Sequence, residues 1–397
     1  MIKLSNRIVN LNESDTLKMA ALARQLQSQG IKVINLSLGE PDFDTPEHIK
    51  EAAKQAIDQN YSHYTPVSGY LDVRQAVVHK LKRDNGLDYT PEQIVLSTGA
   101  KQSIANVVLC LVNPGDEVLL PSPYWVSYAA QVELAEGIAT EVPASMENGF
   151  KITAQQLEAA IKPNTRLIIF SSPCNPTGAV YSKEELRQLA EVIVEHNDLY
   201  VVSDEIYEYI NYVGKHESMA QFEFAKHRVI TVNGLSKGFA MTGWRLGYIA
   251  APLAIAKACD KMQGQFTSAT CSITQRAAIA ALTGTMEPVY AMQKAFRHRR
   301  DLMLDLLNDM PGFITNIPDG AFYVFPDVSY YLGKTNGETI INNVDDLSMY
   351  LLNHAHVSTV NGQAFGNEKC IRISYAASED NIREACARMK QHLAKLY

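Results

Sequence analysis

Several short stretches of this chain carry residue types that could do chemistry together. Lys237 stands in Asn233-Gly234-Leu235-Ser236-Lys237-Gly238, eight residues before Arg245 in Thr242-Gly243-Trp244-Arg245-Leu246-Gly247. Asp204 and Tyr207 share Ser203-Asp204-Glu205-Ile206-Tyr207, and Asn175 sits in Pro173-Cys174-Asn175-Pro176-Thr177-Gly178. Gly99-Ala100-Lys101-Gln102-Ser103 opens a helical pattern, where small residues leave backbone N–H groups free to face an anion. Each stretch alone has a bland reading: a solvated lysine, an acid capping a helix, a Pro-rich turn, a glycine present for turn geometry. Brought to one place, they would offer an amine, a guanidinium, a carboxylate, a phenol, an amide and an anion cradle.

The elements that would bring them together are legible as apolar runs. These are Ile94–Thr98, Glu117–Pro121, Arg166–Ser171, Leu199–Ser203, Arg228–Val232 and Leu246–Ala250, with room for helices between most of them. Continuous apolar strands separated by helices predict an α/β fold with a mostly parallel sheet covered on both faces. Ligands of such sheets bind beyond the carboxyl ends of the strands, which is where most of the stretches above begin. From about residue 286 the pattern changes. A helix over Ala291–Asn308 leads to strands at Phe313–Ile317, Ala321–Phe325, Val357–Val360 and Cys370–Ser374, then a helix from Asp380 to Leu393. A helix over Thr16–Gln29 and a strand over Val33–Leu36 are expected to pack with them. The division is therefore an N-terminal arm over 1–15, a small α+β domain from 16–45 and 286–397, and a large domain over 46–285.

Composition narrows the function. The chain has 397 residues, 46% hydrophobic and 20% charged, enough for a sizeable core. A net charge of −7 disfavours a grip on nucleic acid or an anionic membrane. Six scattered cysteines without a CxxC pair exclude a zinc ribbon and predict a reduced, cytoplasmic protein. No apolar run is long enough to span a membrane. His354 and His356 lack a third ligand at sensible spacing, so no metal is expected. The absence of G-x-G-x-x-G disfavours a dinucleotide enzyme. In that setting the matches to Asn-x-Ser at Asn12 and Asn60 are chance.

The gathered groups are the set that pyridoxal phosphate needs: an amine for its aldehyde, an acid for its ring nitrogen, and partners for its oxygen and phosphate. The sequence resembles the class I/II, fold-type I, pyridoxal-phosphate-dependent aminotransferases, and within them the bacterial aspartate aminotransferase branch. The resemblance covers essentially the whole chain. Beside the stretches above it rests on Ser37-Leu38-Gly39-Glu40-Pro41-Asp42-Phe43, Tyr64-Thr65-Pro66, Pro121-Ser122-Pro123-Tyr124-Trp125-Val126-Ser127-Tyr128 and Arg372-Ile373-Ser374, in order. It implies a large domain with a seven-stranded sheet and a smaller domain built from both chain ends. It also implies a cytoplasmic homodimer with shared active sites.

The resemblance implies roles residue by residue. Lys237 would carry the cofactor and move the proton, with Ser236 beside it. Arg245, Gly99, Ala100 and Lys101 would serve the phosphate. Asp204 would hold the ring nitrogen, Asn175 and Tyr207 the ring oxygen, and Trp125 the ring face. Tyr64 would reach the phosphate of the neighbouring subunit. Arg372 would clamp the substrate α-carboxylate, with Asn175, Trp125 and the backbone of Gly39 beside it. An Arg inside the apolar Ile371-Arg372-Ile373 independently suggests a bound carboxylate. Many relatives have a phosphate-binding Ser where this chain has Gly234. The segment Gln265-Phe266-Thr267-Ser268, which supplies a substrate-reading arginine in some relatives, has none here, so Lys101 is expected to read a distal carboxylate, with Ser14 and Thr16 adding hydroxyls. The expected activity is amino transfer between an L-amino acid, aspartate or glutamate first, and a 2-oxo acid, in ping-pong fashion. Aromatic amino acids or prephenate are the alternative substrates. A lyase on the same scaffold is the alternative reaction. A regulator fused to a DNA-binding domain is disfavoured, because nothing basic precedes the sheet.

Overall fold

The computed structural model describes residues 2–11 and 13–397; Asn12, with its Asn-x-Ser match, lies outside the described residues. Among them the strands are β1 (Ile34–Asn35), β2 (Ile94–Ser97), β3 (Glu117–Ser122), β4 (Ile138–Pro143), β5 (Thr165–Ser171), β6 (Tyr200–Asp204), β7 (Val229–Gly234), β8 (Gly247–Ala250), β9 (Tyr323–Val324), β10 (Val357–Ser358), β11 (Val360–Asn361) and β12 (Ile371–Ser374). The fold is α/β. Seven strands form one sheet in the order β2-β8-β7-β6-β5-β3-β4, parallel except where β8 runs antiparallel to both β7 and β2.

Side chains alternate across this sheet, and both sides are buried. Leu167 and Ile169 of β5 join one apolar cluster with Val107, Val108 and Ile255, whereas Ile168 and Phe170 join the larger cluster on the opposite side. Two covered faces explain why these strands read as unbroken apolar runs. The exception is β4, which the apolar pattern does not reveal. It lies at the sheet edge, and only Val142 of its six residues is buried. An edge strand with water on one side needs no apolar run.

The reversal of β8 decides what meets at one sheet edge. Gly247 pairs with Gly234 at the end of β7 and with Ser97 at the end of β2. The entry to β8 and the exits of β2, β5, β6 and β7 therefore share one side.

The rest of the chain departs in detail from the expected strands. Phe313–Ile317 is not a strand: only Ile314 makes a bridge, to Asp327, and Ile314 and Ile317 are exposed. Val357–Val360 is two strands rather than one. β10 pairs in parallel with β1, and β11 pairs antiparallel with β12, which also pairs with β9. The chain changes partners at Thr359, so one apolar run serves two sheets. Within residues 1–15, Asn6–Asn10 forms a short helix, and Asp15 already belongs to the helix Asp15–Ser28. No described helix is long and apolar enough to cross a membrane.

Candidate active site

A cleft of about 280 Å3 opens at the shared sheet edge. Lys237, Ser236, Asp204, Tyr207, Asn175, Trp125, Ala100, Lys101, Arg245, Arg372 and Gly39 all line it. Gly99 lies immediately behind, as the residue before the helix Ala100–Leu111. Of the residues given a site role in the sequence, Gly99 and Tyr64 do not line this cleft; Tyr64 is 96% exposed.

Asp204 ends β6 and is 3% exposed. One carboxylate oxygen accepts from the Tyr128 hydroxyl at 2.7 Å and the other from the backbone N–H of Ile206 at 3.2 Å. Burial dominates nonetheless and raises its pKa to about 6. A carboxylate held in a dry pocket with few donors is suited to a cationic partner, which would lower its pKa again. Tyr207 points into the same cleft, and its hydroxyl is 2.8 Å from that of Tyr323. Both phenols are buried and their pKa values lie above the usual phenol range.

Lys237 follows β7 by three residues. Burial pulls its amine down to about 8, against the opposing pull of Glu40 and together with the positive charges of Arg372 and Arg245. Its amine donates to the carbonyl of Gly39. Arg245 stands before β8 with φ +54° and donates to the carbonyl of Thr242 at 2.8 Å. Its guanidinium lies against Gly99, where a Cβ would come within 2.5 Å of Nη2. Gly99 therefore lets a guanidinium reach the N-terminus of the helix at Ala100, a place suited to phosphate. Gly234, where the resemblance marked a missing Ser, is the last residue of β7. A Cβ there would meet the Leu246 carbonyl at 2.8 Å and the Gly247 Cα at 2.9 Å, so strand packing excludes any side chain.

Arg372 is 1% exposed on β12. Its Nη1 donates to Asn175 Oδ1 at 2.9 Å and its Nη2 to the Ser37 carbonyl at 2.5 Å, while its buried Nε has no partner. Buried donors are nearly always satisfied, so the idle Nε marks room for an anion. Tyr323 stacks under the guanidinium at 4.6 Å and fills the space that a side chain at Gly39 would need.

At the outer end of the cleft the Lys101 amine lies 5.0 Å from the Trp125 ring. The Trp125 ring also meets Tyr128 edge-on at 5.4 Å. Although exposed, Lys101 has its pKa lowered by surrounding protein and by Arg245. Ser14 precedes the helix Asp15–Ser28 without capping it through its side chain, and the Thr16 hydroxyl is buried without a partner. Both line the cleft, so three polar groups there are uncommitted.

Sequence reasoning gave no role to Tyr323 or Tyr128. Tyr323 sits in an apolar strand and reads as core; Tyr128 falls inside a quoted motif, one helical turn after Trp125, and that spacing was the available signal.

The geometry thus gathers in one cleft an amine, a buried carboxylate, a guanidinium at a helix N-terminus and a second, buried guanidinium with an idle donor. Comparison with known proteins agrees. A family model described as aminotransferase class I and II matches residues 31–389. The aspartate/prephenate aminotransferase of Cereibacter sphaeroides is 44% identical over 399 residues, covering all of both chains. The crystal structure of the aspartate aminotransferase from Rhizobium meliloti superposes with a TM-score of 0.96 at 40% identity over the full length of both. The Thermus thermophilus aspartate aminotransferase with maleate gives 0.93 at 40% identity, covering 99% of this chain and 100% of that one. The α/β sheet, the groups assembled at its edge and these full-length likenesses lead to one conclusion: the chain belongs to the class I and II aminotransferases.

Proposed function

We propose that this aminotransferase uses pyridoxal phosphate and moves an amino group between an L-amino acid, aspartate or glutamate first, and a 2-oxo acid. The observation that carries the reading is the single cleft in which Lys237, Asp204, Asn175, Tyr207, Arg245 and Arg372 meet. When bound, pyridoxal phosphate supplies an aldehyde for imine exchange and a cationic ring that draws electrons from the substrate α-carbon.

The chain's own residues do the rest. Arg245, the backbone from Gly99 to Lys101 and Ser236 hold the phosphate. Asp204 keeps a proton on the ring nitrogen, and Tyr128 keeps Asp204 aimed at it. Asn175 and Tyr207 hydrogen-bond the ring oxygen, and Trp125 covers a face and excludes water. Lys237 would hold the cofactor through its amine and, when that amine is free, would be the group placed to take the proton from the substrate α-carbon; its burial, which lowers its affinity for a proton, favours the neutral form that such a base needs. Arg372 clamps the α-carboxylate through the face that holds the idle Nε, with Asn175 and the Gly39 backbone closing the clamp. The second substrate uses the same clamp, which is why the kinetics are ping-pong.

Lys101, Ser14 and Thr16 read the distal carboxylate. The relatives support this choice, since one is named for aspartate and one was solved with maleate, a dicarboxylate. A second reading, prephenate as amino acceptor, has the support of the name that the Cereibacter sphaeroides relative carries. Tyr64, exposed and away from its own cleft, serves the site of a second copy in a cytoplasmic homodimer. The large unit over 46–285 carries the cofactor, and the unit formed by 16–45 and 286–397 carries Arg372 and the substrate-reading helix. Mixing the holoenzyme with a panel of amino acids and following the cofactor absorbance tests the specificity. Aspartate and glutamate should convert the spectrum; conversion by neutral amino acids alone would refute it.

A further inference from the structure

The segment after Asp204 has two sides. Asp204 and Tyr207 face the cleft, while Glu208 and Tyr209 face a buried cluster on another element. That element is Leu81–Asn85, which continues the helix Leu71–Lys80 with a widened, π-type turn. Lys80 and Glu208, both nearly inaccessible, form an ion pair. Lys80 also donates to Asn85 Oδ1 at 2.8 Å, and Asn85 Nδ2 donates to Glu208 Oε2 at 3.1 Å, closing a triangle. Next to it, the Tyr209 hydroxyl donates to Asp84 Oδ2 at 2.6 Å. Arg83 grips Asp84 through two bonds of 2.6 and 2.9 Å. Such buried charge clusters contribute little net stability compared with apolar packing, and none of these groups reaches the cleft.

What the cluster fixes is the Tyr209 ring, and the ring lies against the lysine segment. A Cβ built on Gly238, the neighbour of Lys237, would come within 2.7 Å of Tyr209 Cδ2 and 3.1 Å of its Cβ. Phe239 meets the same ring edge-on at 5.4 Å. Gly238 has no left-handed backbone angle that would demand glycine; the three atoms nearest to an added Cβ all belong to Tyr209. We propose that Tyr209 is a positioning residue for Lys237. Its ring, anchored by Asp84 and by the Lys80–Glu208–Asn85 triangle, backs Gly238 and sets how deep the lysine segment sits relative to Tyr207 and Asp204. The proposal rests on the reading of Lys237 as the amine that carries the cofactor.

The test uses holoenzyme and three variants: Gly238→Ala, Tyr209→Ala and the double variant. Gly238→Ala should lower kcat about tenfold, within the loss that a displacement of about 1 Å can cause, with KM within about twofold of the parent. It should also shift the pH midpoint of the cofactor absorbance in the absence of substrate. Tyr209→Ala removes the ring and leaves only its Cβ, at 3.1 Å from the added methyl, so the double variant should recover both kcat and the midpoint relative to Gly238→Ala. Parental values in Gly238→Ala, or losses in the double variant equal to the product of the singles, would overturn the proposal. If Gly238→Ala fails to fold, Tyr209→Phe decides instead. It keeps the ring and removes the bond to Asp84, and should lower kcat about threefold with unchanged KM, beside a fall in thermal midpoint that a merely structural role would also give; parental kcat and absorbance would overturn the role. Borohydride reduction of the parent separates the two readings. Label on a residue other than Lys237 refutes both, whereas label on Lys237 with uncoupled variants refutes positioning alone.

Discussion

The roles proposed for Lys237, Arg372 and Lys101 are separable, and each gives a separable prediction. Burial holds the Lys237 amine near 8. In cofactor-free protein it should react with an amine reagent with a midpoint near pH 8; a midpoint near that of ordinary lysines, about 10.4, would remove the case for a neutral base. The sign for stability follows. The unfolded chain binds a proton at Lys237 that the folded chain has already released, so this group's contribution to cofactor-free stability rises from pH 8 toward the unfolded value. Asp204 acts oppositely at lower pH: its folded pKa is raised to about 6, so its contribution is lost as pH rises from the unfolded value toward 6. Lys237→Ala should still bind cofactor and lose nearly all turnover. Arg372→Lys should weaken every substrate together, because a point charge cannot copy a two-pronged guanidinium; an altered ranking at unchanged rate would contradict the clamp. Lys101→Ala should cost aspartate roughly 10- to 150-fold in kcat/KM, the worth of a charged hydrogen bond of about 1.5–3 kcal/mol, and leave alanine nearly unchanged. Equal losses would assign Lys101 to the cofactor. Lys237, Arg245, Asp204, Tyr207, Asn175 and Lys101 were legible because polar types at the ends of apolar runs stand out, whereas Gly39 and Trp125 came only with the family resemblance. Tyr323 was not, because a tyrosine in an apolar strand looks the same whether its hydroxyl meets Tyr207 or nothing.

Among the elements, legibility followed burial. The six runs buried on both faces read as strands to within one or two residues. β4 did not, because water covers one side of it. Phe313–Ile317 read falsely as a strand, because Ile314 and Ile317 are apolar yet exposed, and an apolar residue does not announce which way it faces. The change of partner at Thr359 has no sequence signal at all: β10 and β11 are equally apolar, and only the two sheets tell them apart. The turn Leu81–Asn85 was likewise invisible, since Lys80 reads as a surface residue. Its burial has a measurable consequence. Lys80→Met leaves the Glu208 charge without its partner and should cost about 3–5 kcal/mol of stability, read from the urea midpoint, whereas Lys80→Met with Glu208→Leu should recover most of it. A single variant as stable as the parent would mean that the pair carries no such charge penalty.

For the whole molecule, the exposed Tyr64 gives the sharpest test of the proposed shared-site dimer. Subunits carrying Tyr64→Phe and subunits carrying Lys237→Ala, unfolded together and refolded, form hybrids. In each hybrid one site combines an intact Lys237 with an intact Tyr64 from the other chain. The mixture should therefore exceed the activity of both parents; no gain would place Tyr64 at its own site or at none. The arrangement of the cleft also bears on divergence. Groups proposed for the bond-breaking step hang from strand ends of the large sheet, while Ser14 and Thr16 come from the helix Asp15–Ser28 near the start of the chain. Among the described residues their hydroxyls support no neighbouring structure: the Ser14 side chain does not cap the helix, and the Thr16 hydroxyl has no partner. Mutational drift at these two positions is thus nearly free of structural penalty. A duplicated copy of such a gene could acquire a new diet of substrates by changing its outermost helix while inheriting its chemistry intact.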